Sequence, residues 1–126
     1  MPSELRDITI LKRIIQYCYE IDETNVRFGN SKEKLEADNI YKNALSMCIL
    51  QIGELATNLT DGFRDRFNAV PWKKIKAMRN IAAHRYFSFD VEELWNTVST
   101  DIEPLREYCK TCILKFLKFY NYEVMF

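Results

Sequence analysis

The chain has a single histidine, His84, five positions after Arg79 and two before Tyr86. An imidazole titrates near neutrality and can take up or release a proton. A guanidinium is permanently charged and forks onto carboxylate or phosphate oxygens. The residues around them are basic. The stretch Pro71–Asp90, PWKKIKAMRNIAAHRYFSFD, holds Lys73, Lys74, Lys76, Arg79 and Arg85 and has no acid before Asp90. The whole chain balances 18 basic against 18 acidic residues, so this basicity is local. A polyanion would have to be met by that patch, because the net charge offers no general attraction. A bland reading stands beside the chemical one. Arg79 caps a helix or forms an ion pair, His84 is a half-buried polar residue, Tyr86 packs, and the lysines are a solvated face.

A helix must position these groups. Pro71-Trp72 opens it, since proline at the first helical position loses no hydrogen bond. Trp72, Ile75, Met78, Arg79, Ala82 and Ala83 come at steps of three and four and mark one face. Asn80 and His84, four apart, share a face. Arg79 and His84 sit roughly 140° apart on an ideal helix. They meet only if the helix ends or distorts near His84, or if a second chain supplies the other half.

Arg79, His84 and Tyr86 form an R-x4-H-x-Y pattern that resembles the signature of HepT-type toxins of the HEPN superfamily. The flanks agree: Pro71-Trp72, Met78-Arg79-Asn80, Tyr86-Phe87, then Asp90 before Trp95. The likeness extends from about Leu5 to Cys109. It implies a metal-independent endoribonuclease with Arg79 and His84 as the catalytic pair and no cofactor. The ribose 2′-OH would attack the adjacent phosphorus, His84 would move the proton, and Arg79 would stabilise charge on the phosphorane. Asn80 would orient the ring or bind phosphate, and Lys73, Lys76 and Arg85 would guide the RNA backbone. Relatives often carry glycine where this chain has Arg85. The resemblance also implies a homodimer with two motif helices in one cleft, which suits one histidine per chain. The implied partner is a cognate minimal nucleotidyltransferase antitoxin that transfers AMP to Tyr86.

The other elements read as an all-α, four- to five-helix up-down bundle, HEPN-like, forming one domain over residues 1–126. Only three glycines and three prolines occur, which favours helix over turn-rich sheet. The spacing predicts a first helix over Glu4 to about Glu20, on Leu5, Ile8, Leu11, Ile15 and Cys18. Asp22–Asn30 then reads as a polar connection closed by Gly29-Asn30, with Val26 and Phe28 packing back on the core. Asn30 with Glu33, or Ser31 in its place, caps a short helix to Leu35. A second long helix runs from about Asp38 to Leu59. Within it Gly53 lowers helix propensity but permits close approach of another helix. Beside it, Glu54 is either a solvated glutamate at a helix crossing or a supporting residue that orients Arg79 or Asn80. Phe63, Phe67 and Val70 anchor the connection to the basic helix. Asp90 and Glu93 cap the next helix, and Pro104 demands a break or kink near Thr100–Asp101. The aromatic end, FLKFYNYEVMF, covers a groove or helps pair chains.

Several classes are excluded. Cys109 and Cys112 form a lone C-x-x-C without the four ligands of a structural zinc site, and fall at core spacing. No phosphate-binding glycine loop, HExxH or carboxylate cluster is visible, so two-metal nuclease chemistry lacks its ligands. No apolar run reaches membrane-spanning length. The expectation is a cytoplasmic protein whose cysteines are thiols. Three readings remain open: the toxin ribonuclease, a non-catalytic HEPN helical module that binds and supports a nucleotidyltransferase, and a plain helical dimerisation protein. The intact Arg79, His84 and Tyr86 set favours the first over the second.

Overall fold

The computed structural model describes residues 3–70, 72, 73, 75–77, 79 and 91–119, and every regular element among them is helical. Helices α1 (Ser3–Phe28), α2 (Lys32–Ala37), α3 (Asn39–Thr57) and α4 (Asp61–Arg66) precede the basic segment. Beyond it come α5 (Val91–Asn96), a π-helical turn (Thr97–Asp101) and α6 (Ile102–Phe119). The chain is an all-α bundle of the HEPN-like kind.

Helix α1 is the central member and packs on α3 and α6. Ile8, Leu11, Ile14, Ile15, Cys18 and Ile21 give it a buried stripe. Contacts at both ends show that α3 runs antiparallel to it. Near its start, buried Asp7 accepts from the Thr60 N–H at 2.9 Å and the Thr60 hydroxyl at 2.7 Å, just past the end of α3. Near its other end, Asn25 accepts from the Tyr41 hydroxyl at 2.5 Å, and Phe28 stacks on Tyr41 with ring centres 5.0 Å apart. Helix α6 is also antiparallel to α1. Arg106 pairs with Asp22 at 2.6 Å and lies over the Tyr19 ring, and Lys110 bonds the Tyr19 hydroxyl.

The first helix is longer than its sequence pattern predicts. It continues through Asp22–Phe28 and stops only where Gly29 (φ 100°) and Asn30 (φ 49°) turn left-handed. Phe28 packs inward as expected, but Val26 does not: it is 76% exposed. Val26 lies five residues beyond buried Ile21, on the far side of the same helix. Ser31, rather than Asn30, caps α2, accepting from the Lys34 N–H at 3.0 Å. Asp38 caps α3 through the N–H groups of Ile40 and Tyr41.

The break expected near Pro104 takes the form of the π turn. Proline has no N–H to give the carbonyl four residues back and its ring crowds that carbonyl. The helix widens over Thr97–Asp101 rather than stopping, and Pro104 falls in the first turn of α6. The four cysteines are free and buried. Burial pushes the Cys18 thiol up to about 12, and Cys48 and Cys112 to about 11. Cys109 and Cys112 face the core, as their spacing predicts. Among the described residues, no helix is long and apolar enough to cross a membrane.

Candidate active site

The segment bearing Arg79 is held from two sides. Upstream, Thr60 caps α4, and Phe63, Phe67 and Val70 are buried, as the sequence predicts. The rings of Phe63 and Phe67 lie 4.6 Å apart. Trp72 is buried against this knot, and its indole N–H donates to the Phe67 carbonyl at 2.9 Å. Residues 72, 73, 75–77 and 79 are helical. Trp72 and Ile75 point into the core, and Arg79 lies one turn beyond Ile75.

The second support is α3. At Gly53 the two helices meet with almost no space between them. A β-carbon added to Gly53 would stand 2.7 Å from Arg79 Cβ and 2.8 Å from the Arg79 backbone nitrogen. The expected close approach at this glycine is present, and the residue seated on it is Arg79. The next residue of α3, Glu54, meets the arginine side chain: Nη1 of Arg79 lies 3.3 Å from Oε1 of Glu54. The side chains are 36% and 49% exposed, so this is a solvent-screened pair worth about 0–1 kcal/mol. Its consequence is orientation more than stability. It ties a long, flexible side chain to a fixed helix and leaves the guanidinium within reach of solvent.

Lys73 is exposed and Lys76 half-buried on the same helical segment. Asn80, His84, Arg85 and Tyr86 lie outside the described residues, as do Pro71, Lys74, Met78, the rest of the stretch through Asp90, and residues 120–126. The structure therefore brings together Arg79 and Glu54 from the predicted set, with Lys73 and Lys76 nearby in sequence. Asp7, which the sequence pattern does not single out, fastens α1 to the start of α4 and so to the root of this segment. The signal that could have found it is a charged residue one turn before Leu11, on the stripe that faces the core. Among the described residues, no group of His, Cys, Asp and Glu side chains could hold a metal ion.

Comparison with known sequences assigns the chain to a family. A family model described as "Ribonuclease HepT-like" matches residues 8–112. The chain belongs to the HepT-like ribonuclease family. The match runs from α1 into α6 and so includes Gly53, Glu54 and the whole basic segment. Among the chain's relatives, "Putative RNase TTE0752" of Caldanaerobacter subterraneus subsp. tengcongensis is 32% identical over 105 residues, covering 83% of this chain and 92% of that one. "Putative RNase MJ1380" of Methanocaldococcus jannaschii is 38% identical over 94 residues, covering 75% and 78%. "Probable ribonuclease HepT" of Thermococcus cleftensis is 38% identical over 55 residues, covering 44% and 50%. No solved structure matches the chain.

Proposed function

We propose that this HepT-like protein is a metal-independent endoribonuclease toxin that acts as a homodimer and is silenced by a cognate minimal nucleotidyltransferase. The observation that carries the reading is the Arg79–Glu54 pair at the bare helix crossing. A guanidinium has five N–H donors in a planar fork. One carboxylate contact at 3.3 Å orients that fork without itself consuming it. Such a group suits the equatorial oxygens of a phosphorane.

In the proposed reaction the ribose 2′-oxygen bonds to the adjacent phosphorus and the bond to the 5′-oxygen breaks. The products are a 2′,3′-cyclic phosphate and a free 5′-hydroxyl. His84 moves the proton, Arg79 neutralises the phosphorane, and Asn80 supports the ring. Lys73, Lys76 and Arg85 draw the backbone in. A single histidine per chain makes a two-histidine acid and base arrangement a matter for two copies. The outer face of α3 supports this: Ile40 is 70% exposed and Met47 48% exposed. Ile40, Met47 and Glu54 succeed one another at intervals of seven, and so lie in line along the helix. A second copy seated on that line would bring two Arg79–Glu54 pairs toward one cleft.

Silencing is a matter of charge. The Tyr86 hydroxyl oxygen attacks the α-phosphorus of ATP, pyrophosphate leaves, and the phenolic proton passes to solvent. The added AMP places negative charge and bulk beside Arg79, His84 and Arg85, where RNA phosphate would bind. The test is cleavage of RNA by the purified chain in EDTA. Undiminished cleavage to cyclic-phosphate ends is expected, lost in Arg79→Ala and in His84→Ala with the fold intact. Full activity in either variant refutes the assignment. Tyr86→Phe should cleave RNA yet gain no AMP mass with the partner and ATP.

A further inference from the structure

We infer that Gly53 is a positioning residue: its missing side chain, against a helix pinned by Trp72, fixes the depth at which Arg79 presents its guanidinium. The inference rests on the ribonuclease reading for its kinetic test and on geometry for its argument. Alanine in place of glycine raises helix propensity in the middle of an α-helix, and α3 is long and regular here. Glycine is therefore the weaker helix former at this position, and the space around it accounts for its use. The atoms that a methyl group would meet are the Arg79 backbone nitrogen at 2.8 Å, Cβ at 2.7 Å and Cα at 3.1 Å. None of these is the end of a flexible side chain. Ordinary van der Waals contact begins near 3.4 Å, so a methyl group displaces Arg79 outward by about 0.7 Å.

That displacement cannot be shared evenly along the helix. Trp72 is 6% and Ile75 3% exposed, and the indole is bonded to the Phe67 carbonyl. The upstream turn is held, so the helix pivots there and the motion falls on Arg79. Glu54 stays on α3, and the 3.3 Å contact between its carboxylate and Nη1 of Arg79 opens. Gly53 and Glu54 therefore act on one side chain, the first from beneath its backbone and the second on its fork.

Gly62 provides an internal control. It also lies in a helix, α4, and a β-carbon there would meet nothing within 4 Å. Gly53→Ala should lower kcat for RNA cleavage by about ten- to hundredfold, the scale of a misplaced catalytic group. KM should stay within about twofold, since the lost interaction belongs to the transition state. Gly62→Ala should keep wild-type kcat. In an Arg79→Lys background, whose residual cleavage is measured on labelled RNA, the further loss from Gly53→Ala should shrink below about threefold. Wild-type kcat in Gly53→Ala, or losses that simply multiply, would overturn the inference. Trp72→Phe loosens the pin without touching Gly53, so it tests the same geometry even where Gly53→Ala fails to fold; it should lower kcat at constant KM, and an unchanged kcat refutes the pivot. A wild-type chain that cleaves no RNA refutes the ribonuclease reading instead. The NMR Nε–Hε resonance of Arg79 then decides: shifted in Gly53→Ala but not in Gly62→Ala upholds the positioning role, and unmoved in both ends it.

Discussion

Replacing Asp7 should unfasten the bundle at the root of the basic segment. Its carboxylate is fully buried and accepts two hydrogen bonds from one residue, from the Thr60 N–H at 2.9 Å and the hydroxyl at 2.7 Å. The same hydroxyl accepts from the Phe63 N–H at 3.3 Å and so caps α4. Hydrogen bonds to a charged group contribute about 1.5–3 kcal/mol each, and a buried donor left alone costs about 1–3 kcal/mol. Asp7→Ala should therefore destabilise by about 3–5 kcal/mol, a large part of the roughly 5–15 kcal/mol typical of a domain. Asp7→Asn keeps the shape but turns an amide toward one of the two donors, and should cost about 1–2 kcal/mol. Thr60→Val removes the cap and the hydroxyl bond together, for about 2 kcal/mol. The assay is urea unfolding at pH 7, read as a lower midpoint at constant slope. Because both side chains serve one contact, the double variant should cost less than the sum of the singles by at least about 1 kcal/mol. An Asp7→Ala cost under about 1 kcal/mol, or strict additivity, would refute the reasoning.

Glu54→Gln should leave the urea midpoint within about 0.5 kcal/mol of wild type, because the pair with Arg79 is half exposed. It should nonetheless lower kcat about tenfold, and equal kcat would remove Glu54 from the site. Met47→Lys places a charge on the exposed line of α3 and should convert a dimer to a monomer in light scattering, with the monomer still folded; an unchanged mass would place the seam elsewhere. The contribution of the buried thiols to thermal stability should be flat below about pH 8.5 and fall as pH rises from about 9 to about 11, because the unfolded thiols ionise from 9.0 while burial holds native Cys48 and Cys112 protonated to about 11. An unchanged melting temperature at pH 10.5 would contradict that burial.

The helical class, the core stripes and the closeness at Gly53 were legible in the sequence because each rests on local spacing. The stripe Leu11, Ile15, Cys18 survives any arrangement of neighbours. The last two turns of α1 were not legible. Beyond Ile21 the core-facing position is Asn25, which is satisfied by Tyr41 from another helix. A polar residue matched by a distant partner looks like a connection when read alone. Asp7 was obscured for the same reason, since its partner lies 53 residues away. Ser31 and Asn30 were equivalent as caps until the left-handed backbone at Asn30 assigned it to the end of α1. The Glu54–Arg79 contact was half legible: the glycine marked a crossing, but the identity of the crossing residue required the fold.

The wide turn at Thr97–Asp101 also determines where this chain could gain or lose length. Leu94, Val98 and Ile102 are all buried, although two successive steps of four overrun a regular helix with 3.6 residues per turn. The π geometry absorbs that overrun and delivers α6 to the core in phase. Removing one exposed residue, Ser99 or Thr100, would turn the second step of four into a step of three. The buried positions then keep phase without the wide turn, Pro104 still kinks the helix where it stands, and the stripe from Leu105 to Phe116 keeps its aim. The same deletion one turn into α6 would rotate every later core residue by roughly 100° toward water. The turn thus behaves as a splice point in the helix's reading frame, the one stretch between α5 and α6 where a codon can be dropped without changing which face is wet.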